Sequence, residues 1–202
     1  MERPYVILNL AQSLNGYISG PDGRRVLLSS DEDWNRVMGM RRSVDGILIG
    51  KNTVIHDDPE LKLNDDSPAI RIVIDPKLTL EGKNYRITDG TRRTAILNET
   101  REDTDGINSY IRCGRPFDLR TAMARLYGIG IRKILVEGGK ITAENFLRVG
   151  MVDEMYVFIS NTVLPDGGVR MPSVSSERRN AVVGITVIRG GVLMKISPGE
   201  WI

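Results

Sequence analysis

The residues of this chain best placed to do chemistry lie where short apolar runs give way to polar ones. The run Lys133–Val136 ends in Glu137, Gly138, Gly139 and Lys140, just ahead of a helical segment. Glycine has no Cβ, so two in succession let backbone N–H groups approach a ligand, and the first turn of a following helix adds the positive end of its dipole. That combination suits a phosphate or a nucleotide, although a tight strand-to-helix turn with nothing bound would use the same residues. A second junction follows the run Gly46–Gly50 and carries Thr53, His56, Asp57, Asp58, Pro59 and Leu61. Ligands of open α/β sheets bind in the crevice at the carboxyl ends of the strands, and both junctions occupy that position. They are expected to wall one crevice.

The elements that must hold these groups can be read from periodicity and punctuation. Residues 5–10 form a buried strand, left by a polar turn over 11–17 and a plain turn over 20–23. Ser30 ahead of Asp31, Glu32 and Asp33 is a capping-box start, and the helix it opens ends near Arg41 and Arg42. After Gly46–Gly50, a long polar connection passes through 64–68 to a strand over 70–75 that Pro76 stops; connections of that length are usually functional. Thr94–Asn98 and residues 109–113 are further short strands, with polar loops over 82–90 and 99–106. Asp118 caps a helix over 118–127 that Gly128 closes. The strand Lys133–Val136, a helix over 143–149 ending at Gly150, and the strand Glu154–Ser160 follow. Residues 182–188 and 192–196 flank Gly190-Gly191, a hairpin signal. The expected class is α/β, one domain over 1–202, with a mixed, mostly parallel central sheet flanked by helices and a C-terminal antiparallel hairpin.

Composition excludes several classes. With 41% apolar and 27% charged residues the chain has ordinary globular composition, and no apolar run approaches the ~18 residues of a membrane span. Residues 5–10 are too short and wrongly flanked for a signal peptide, so a cytoplasmic location is expected. Lys and Arg total 28 against 26 acids, and the few aromatics do not interleave with basic clusters, which argues against nucleic acid. One cysteine and one histidine cannot assemble the usual zinc sets, so no metal is expected. Cys113, at the end of an apolar stretch, reads as a core residue. A Gly-x-Gly-x-x-Gly fingerprint after the first strand is absent; Gly128 and Gly130 precede a strand and read as helix termination.

Residues 3–9 with Ser13-Leu14-Asn15-Gly16, residues 41–50, the Thr53 to Leu61 segment with its Asp57-Asp58-Pro59, and Val136-Glu137-Gly138-Gly139 together resemble the pyrimidine reductase family of riboflavin biosynthesis. The likeness extends through Val152-Asp153-Glu154 to the closing hairpin. It is strongest to the stand-alone archaeal and fungal type, since the His-x-Glu and Pro-Cys-x-x-Cys elements of the fused zinc deaminase are missing. The resemblance implies a dihydrofolate-reductase-like fold, a homodimer, and NADPH (NADH as the alternative) reducing the ribosylamino group of 2,5-diamino-6-ribosylamino-4(3H)-pyrimidinone 5′-phosphate to ribitylamino. The cofactor supplies the reductant there, and the protein binds, orients and excludes water.

The resemblance also implies roles, each with a plainer alternative. Thr53 and Asp57 match cofactor contacts, as do Asp75 and the pyrophosphate loop Gly138, Gly139, Lys140, Ile141 and Thr142; a helix N-cap is the plainer alternative for Thr53. Glu137 and Asn15 match the catalytic and substrate-contacting positions, with a surface charge as the alternative for Glu137. Arg41 matches a substrate-binding arginine suited to the 5′-phosphate, or it simply complements the helix dipole. Asp58 and Leu61 match substrate-pocket positions, against a turn and ordinary core packing. Lys77, Arg86, Arg92 and Arg93 are open candidates for a 2′-phosphate. The family pattern Ser-Leu-Asp-Gly-Lys reads Ser13-Leu14-Asn15-Gly16-Tyr17 here, and Asn15 cannot act as a carboxylate. Competing readings are reduction of the deaminated pyrimidinedione or a pteridine-like substrate, and a catalytically silent nucleotide-binding homologue.

Overall fold

The computed structural model describes residues 2–21, 23, 25–61, 69–173 and 180–199; the stretch 64–68 expected to join two strands lies outside them. In chain order the elements are β1 (Tyr5–Gln12), β2 (Tyr17–Pro21), α1 (Asp31–Arg42), β3 (Gly46–Gly50), α2 (Lys51–Asp57), β4 (Ile70–Ile74), β5 (Thr94–Asn98), β6 (Asp103–Asp105), β7 (Asn108–Arg112), α3 (Leu119–Gly128), β8 (Lys133–Val136), α4 (Lys140–Arg148), β9 (Glu154–Ser160), β10 (Gly168–Arg170), β11 (Ala181–Ile188) and β12 (Gly191–Ser197). A ten-stranded sheet runs in the order β11-β12-β9-β1-β8-β3-β4-β5-β7-β6, and β10 pairs with β2 apart from it. The strands from β9 to β7 are mutually parallel, while β12, β11 and β6 add antiparallel edges. The mixed, mostly parallel sheet with a C-terminal hairpin is the architecture expected.

The inner strands are apolar at almost every position because helices cover both faces. Alternation along each strand sorts their side chains. Ile7, Ile47, Ile49 and Leu135 pack with Val44 and Val54 on the α1 and α2 side. Val6, Leu8, Leu48, Ile134 and Val136 pack with Met123 and Leu126 of α3 and Ala143 and Phe146 of α4. Cys113 is fully buried in that second layer, as expected, and burial pushes its thiol up to about 12.

Local signals explain most helix ends. The Ser30 hydroxyl accepts from the Asp33 N–H at 3.3 Å, so the expected cap forms. The reciprocal arm does not, because the Asp33 carboxylate is taken by Arg36 at 2.8 Å. Asp118 caps α3 through the N–H groups of Arg120 and Thr121. The left-handed residue that ends α3 is Gly130, at φ +95°, two residues past the expected Gly128. α4 starts at Lys140, three residues before the sequence suggested, directly after the glycine pair. The polar segment after β3 is a helix and no simple connection: α2 is capped by Gly50, and Thr53 lies inside its first turn, which rules out the N-cap alternative for Thr53.

Candidate active site

Strand order creates the site. From β1 the chain passes to β3 and moves outward through β4, β5 and β7, then returns by α3 so that β8 inserts between β1 and β3. From these adjacent strands α2 leaves towards one face and α4 towards the other. Their carboxyl ends therefore open a crevice at a topological switch point. Both junctions identified from sequence meet there: the Thr53 hydroxyl accepts from the Gly139 N–H at 3.2 Å.

The glycines serve a close approach of backbone to side chain. A Cβ on Gly138 would stand 2.5 Å from the Cβ of Thr142, and one on Gly50 would stand 2.2 Å from its Oγ1. Thr142 is thereby held down on the ends of β3 and β8, and α4 begins at the floor of the crevice. Gly139 caps α4 with no side chain bonding to the first turn, so the N–H groups of Lys140, Ile141 and Thr142 carry the positive dipole end without a protein acceptor from the cap. Lys140 reaches back to Glu144 at 3.7 Å, and Ile141 is exposed.

On the α1 side, Glu137 continues the alternation of Leu135 and turns towards Arg41. The guanidinium fork binds both carboxylate oxygens, Nε at 2.9 Å and Nη2 at 2.5 Å. The side chains are only 7% and 13% exposed, and Arg41 lies 5.3 Å from the Trp34 ring. The fork expected to meet a phosphate is thus engaged by Glu137, and neither residue stands as a free surface charge. Beside this pair, Arg36 donates to Asn9 at 2.8 Å and to Asp33 at 2.9 Å, and stacks 5.4 Å from the Tyr156 ring.

The sequence does not point to Asn9, Asp33 or Arg36 as site residues. A signal existed for Asn9, a polar residue on the inward side of an apolar strand. Asp33 was hidden because a capping box accounts for an acid at that position equally well.

The other expected residues have varied settings. Burial pushes the Asp57 carboxyl above its ordinary range, against the pull of Arg25 and His56. Asp58 is the left-handed C-cap of α2, and its carboxylate accepts from the Arg86 N–H at 2.8 Å. Leu61 is buried in the cluster with Val54, Leu80 and Ile87, which is core packing. Asp75 is fully buried beyond β4; Oδ2 accepts from Leu80 N–H at 2.8 Å and Oδ1 has no hydrogen-bond partner. Asn15 is clipped to the Leu164 backbone, donating to its carbonyl at 2.7 Å and accepting from its N–H at 3.0 Å, while Ser13 donates to the same oxygen at 2.8 Å. Tyr17, the other departure from the family pattern, is buried and donates to Asp166 at 2.7 Å, tying β2 to the segment around β10.

Among the basic candidates, Lys77 follows the carboxyl end of β4 and its Nζ pairs with Glu99 at 2.5 Å, while Lys51 Nζ donates to Thr79 at 3.0 Å. Arg92 and Arg93 precede β5 at the amino ends of the strands. One strand length, about 15 Å, separates them from the crevice. Among the described residues no group of three His, Cys, Asp or Glu could hold a metal ion, and no helix is long and apolar enough to cross a membrane.

Comparisons with known proteins identify the family and the fold. The model of the RibD C-terminal domain matches residues 4–193. The 2,5-diamino-6-ribosylamino-4(3H)-pyrimidinone 5′-phosphate reductase of Methanothermobacter thermautotrophicus is 32% identical over 177 residues, 80% of each chain. Two solved structures share the fold. The deaminase/reductase of Thermotoga maritima has a TM-score of 0.82 at 24% identity, over 97% of this chain and 57% of that one. The riboflavin biosynthesis reductase Rib7 of Saccharomyces cerevisiae has a TM-score of 0.81 at 22% identity, over 98% and 90%. The chain belongs to the RibD C-terminal domain family, whose members include the reductases of riboflavin biosynthesis.

Proposed function

We propose that this chain reduces the ribosylamino group of 2,5-diamino-6-ribosylamino-4(3H)-pyrimidinone 5′-phosphate to the ribitylamino product with NADPH, NADH being the alternative donor, and that it does so as a homodimer. One observation carries the reading: the uncapped first turn of α4 and the Arg41–Glu137 pair line the same crevice, in a chain whose relative in Methanothermobacter is named for this substrate.

The residues present fit a dinucleotide. The N–H groups of Lys140, Ile141 and Thr142 hold the pyrophosphate, with Gly138 and Gly139 keeping that turn low and Thr53 and Asp57 flanking it. Asp75 Oδ1, buried and without a donor, suits a ribose hydroxyl, and Lys77 stands on the correct side of the sheet for a 2′-phosphate. When bound, the dihydronicotinamide supplies hydride to C1′ of the ring-opened sugar imine.

The remaining work falls to binding and orientation. Glu137, fixed by Arg41, accepts hydrogen bonds from substrate N–H or hydroxyl groups, and Arg41 offers its charge to the 5′-phosphate side. The oxygen of Asn15 already accepts two hydrogen bonds, so its second amide hydrogen is the group left for substrate. Asp58 and Leu61 shape the pocket wall by holding α2 and the segment after it.

The test is oxidation of NADPH, followed by its absorbance, with the diamino substrate and with the deaminated one in parallel. Turnover of the diamino compound is expected. Preference for the deaminated compound would move the substrate assignment, and tight NADPH binding without turnover of either would establish a silent homologue.

A further inference from the structure

Arg41 is not alone in reaching from α1 down to the sheet. Arg36 lies earlier on the helix and donates to Asn9, in the middle of β1. The ladder between β1 and β8 runs as far as the pair Leu8 and Val136, so Asn9 and Glu137 are the next neighbours across it. Adjacent strands lie about 5 Å apart. Alternation puts both side chains on the face of Ile7 and Leu135, beneath α1.

Arg36 is itself held from several sides. Nε and Nη2 meet Oδ1 of Asp33 at 2.9 and 2.8 Å, and the Asp33 side chain is 1% exposed. Nη1 points to the Met40 sulfur at 2.8 Å, and the guanidinium lies 5.4 Å from the ring of Tyr156, the register partner of Asn9 on β9. Nη2 also donates to Oδ1 of Asn9 at 2.8 Å. A guanidinium can only donate, so it admits one of the two orientations of the amide, with the oxygen towards Arg36 and the nitrogen away from it. The Tyr156 hydroxyl does not compete, because it donates to Glu154 at 2.8 Å. Neither hydrogen on Asn9 Nδ2 has an acceptor among the described residues, and Asn9 is only half-buried. Glu137 beside it is an acceptor alone, and each of its oxygens keeps a lone pair after the Arg41 fork is bound.

We infer that Arg36, anchored by Asp33, is a positioning residue that turns the Asn9 amide so that its N–H groups meet an acceptor oxygen of the substrate, while Glu137 accepts from the N–H next to that oxygen. The inference rests on the substrate class proposed above and names the edge that is read. A donor and an acceptor held side by side on neighbouring strands match a rigid edge with a carbonyl next to an N–H, and a 4(3H)-pyrimidinone has that edge at C4 and N3. A sugar presents hydroxyls, each both donor and acceptor, and these would meet the amide in either orientation. Fixing one orientation therefore favours the ring. Asp33 adds permanence: its carboxylate is out of water, so salt screens the pair with Arg36 little and the guanidinium keeps its place.

Asn9→Asp separates this role from a structural one. The carboxylate still accepts from Arg36, now as a charged pair, and lacks only the N–H donors. An intact melt is expected, with kcat/KM for the diamino substrate lower by about 100-fold or more because an acceptor then faces an acceptor. Arg36→Lys keeps a charge for Asp33 but has no fork with which to serve Asn9 as well. It should raise KM about 10-fold and add little in the Asn9→Asp background, since a carboxylate has no wrong orientation to adopt. Inhibition by the free base, 2,5,6-triamino-4(3H)-pyrimidinone, should weaken in Asn9→Asp, and inhibition by ribose 5-phosphate should not. Unchanged kcat/KM in Asn9→Asp, a melt lowered in step with lost activity, or additive effects of the two substitutions would overturn the positioning role. Weakened inhibition by ribose 5-phosphate alone would overturn the choice of the ring. All of these leave the reductase reading intact. That reading fails instead if wild type binds the diamino substrate in calorimetry without turning it over, and the same titration of Asn9→Asp then decides the contact. Wild type that binds neither the diamino nor the deaminated compound overturns both.

Discussion

Placing a methyl group on Gly138 is the sharpest way to ask whether α4 starts where the cofactor must be held. Neither Gly138 nor Gly139 has a positive φ, so alanine is acceptable to the backbone at both and the difference between them is steric. At Gly138 the new Cβ would lie 2.5 Å from Cβ and 2.6 Å from Cγ2 of Thr142. Reaching an ordinary carbon separation of about 3.5 Å requires a displacement of about 1 Å. Thr142 is in the first turn of α4, so the N–H groups proposed for the pyrophosphate move with it. At Gly139 the nearest atom is Thr53 Oγ1 at 3.4 Å, an ordinary contact. Overpacking at Gly138 should cost about 1–3 kcal/mol of stability, and Tm should fall by about 2–4 °C per kcal/mol in a chain of this size. Gly139→Ala loses a tolerated N-cap residue and should cost under about 1 kcal/mol. Titration of NADPH by quenching of intrinsic fluorescence, with a thermal melt of each variant, gives both readouts. Affinity should fall about 10-fold or more in Gly138→Ala, equivalent to about 1.4 kcal/mol, and little in Gly139→Ala. Equal affinity in the two variants would refute the link between this packing contact and the nucleotide site.

Glu137→Ala leaves the Arg41 guanidinium without its carboxylate in a site where both side chains are nearly buried; urea denaturation should report a loss of about 3 kcal/mol or more, with turnover abolished, and an unchanged midpoint would show the pair to be worth little. For Asp57 the sign follows from burial, which raises its carboxyl above the ordinary value of 3.8. The folded state then binds that proton more tightly than the unfolded chain, so its contribution to stability is greatest below the ordinary value and declines as pH rises through the raised one. Asp57→Asn should accordingly gain stability over wild type near neutrality, lose the gain below about pH 4, and bind NADPH more weakly; melts at both pH values and a titration decide it. Asn15→Ala removes two hydrogen bonds to Leu164 and should cost about 1–2 kcal/mol, raising KM more than it lowers kcat if Asn15 chiefly holds the loop; an intact KM with lost kcat would make its role chemical.

Much of this architecture is legible in the sequence because the inner strands are continuous apolar runs between strong punctuation. β3, β5, β8 and β9 fall where those runs predict them. The misses share a cause: β6 and β10 have three residues each and α2 has seven, too few for a two-residue or 3.6-residue period to emerge from composition. β2, with a glycine and a proline in five residues, reads as a turn, and only its pairing with β10 makes it a strand. For the site, the meeting of the Thr53 and Gly139 segments is foreshadowed by their positions at strand ends. The pairing of Arg41 with Glu137, 96 residues apart, is not, because it depends on β8 entering the sheet beside β1 and on which face Glu137 presents. The settings of Asn15 and Leu61 depend likewise on partners distant in sequence or on a backbone turn that no local pattern announces.

That late insertion of β8 has a consequence for how the chain reaches its working form. β8 comes late in the chain, and the ladders that join β1 to β3 form only when it pairs with both. The middle of the sheet is therefore completed only by residues beyond α3, and contacts of such long sequence separation are slow to form. Because the crevice proposed for the nucleotide lies at the carboxyl ends of these strands, a ligand bound there would stabilise only molecules in which β8 has joined β1 and β3. Added during refolding, it would act as a clamp on the final step.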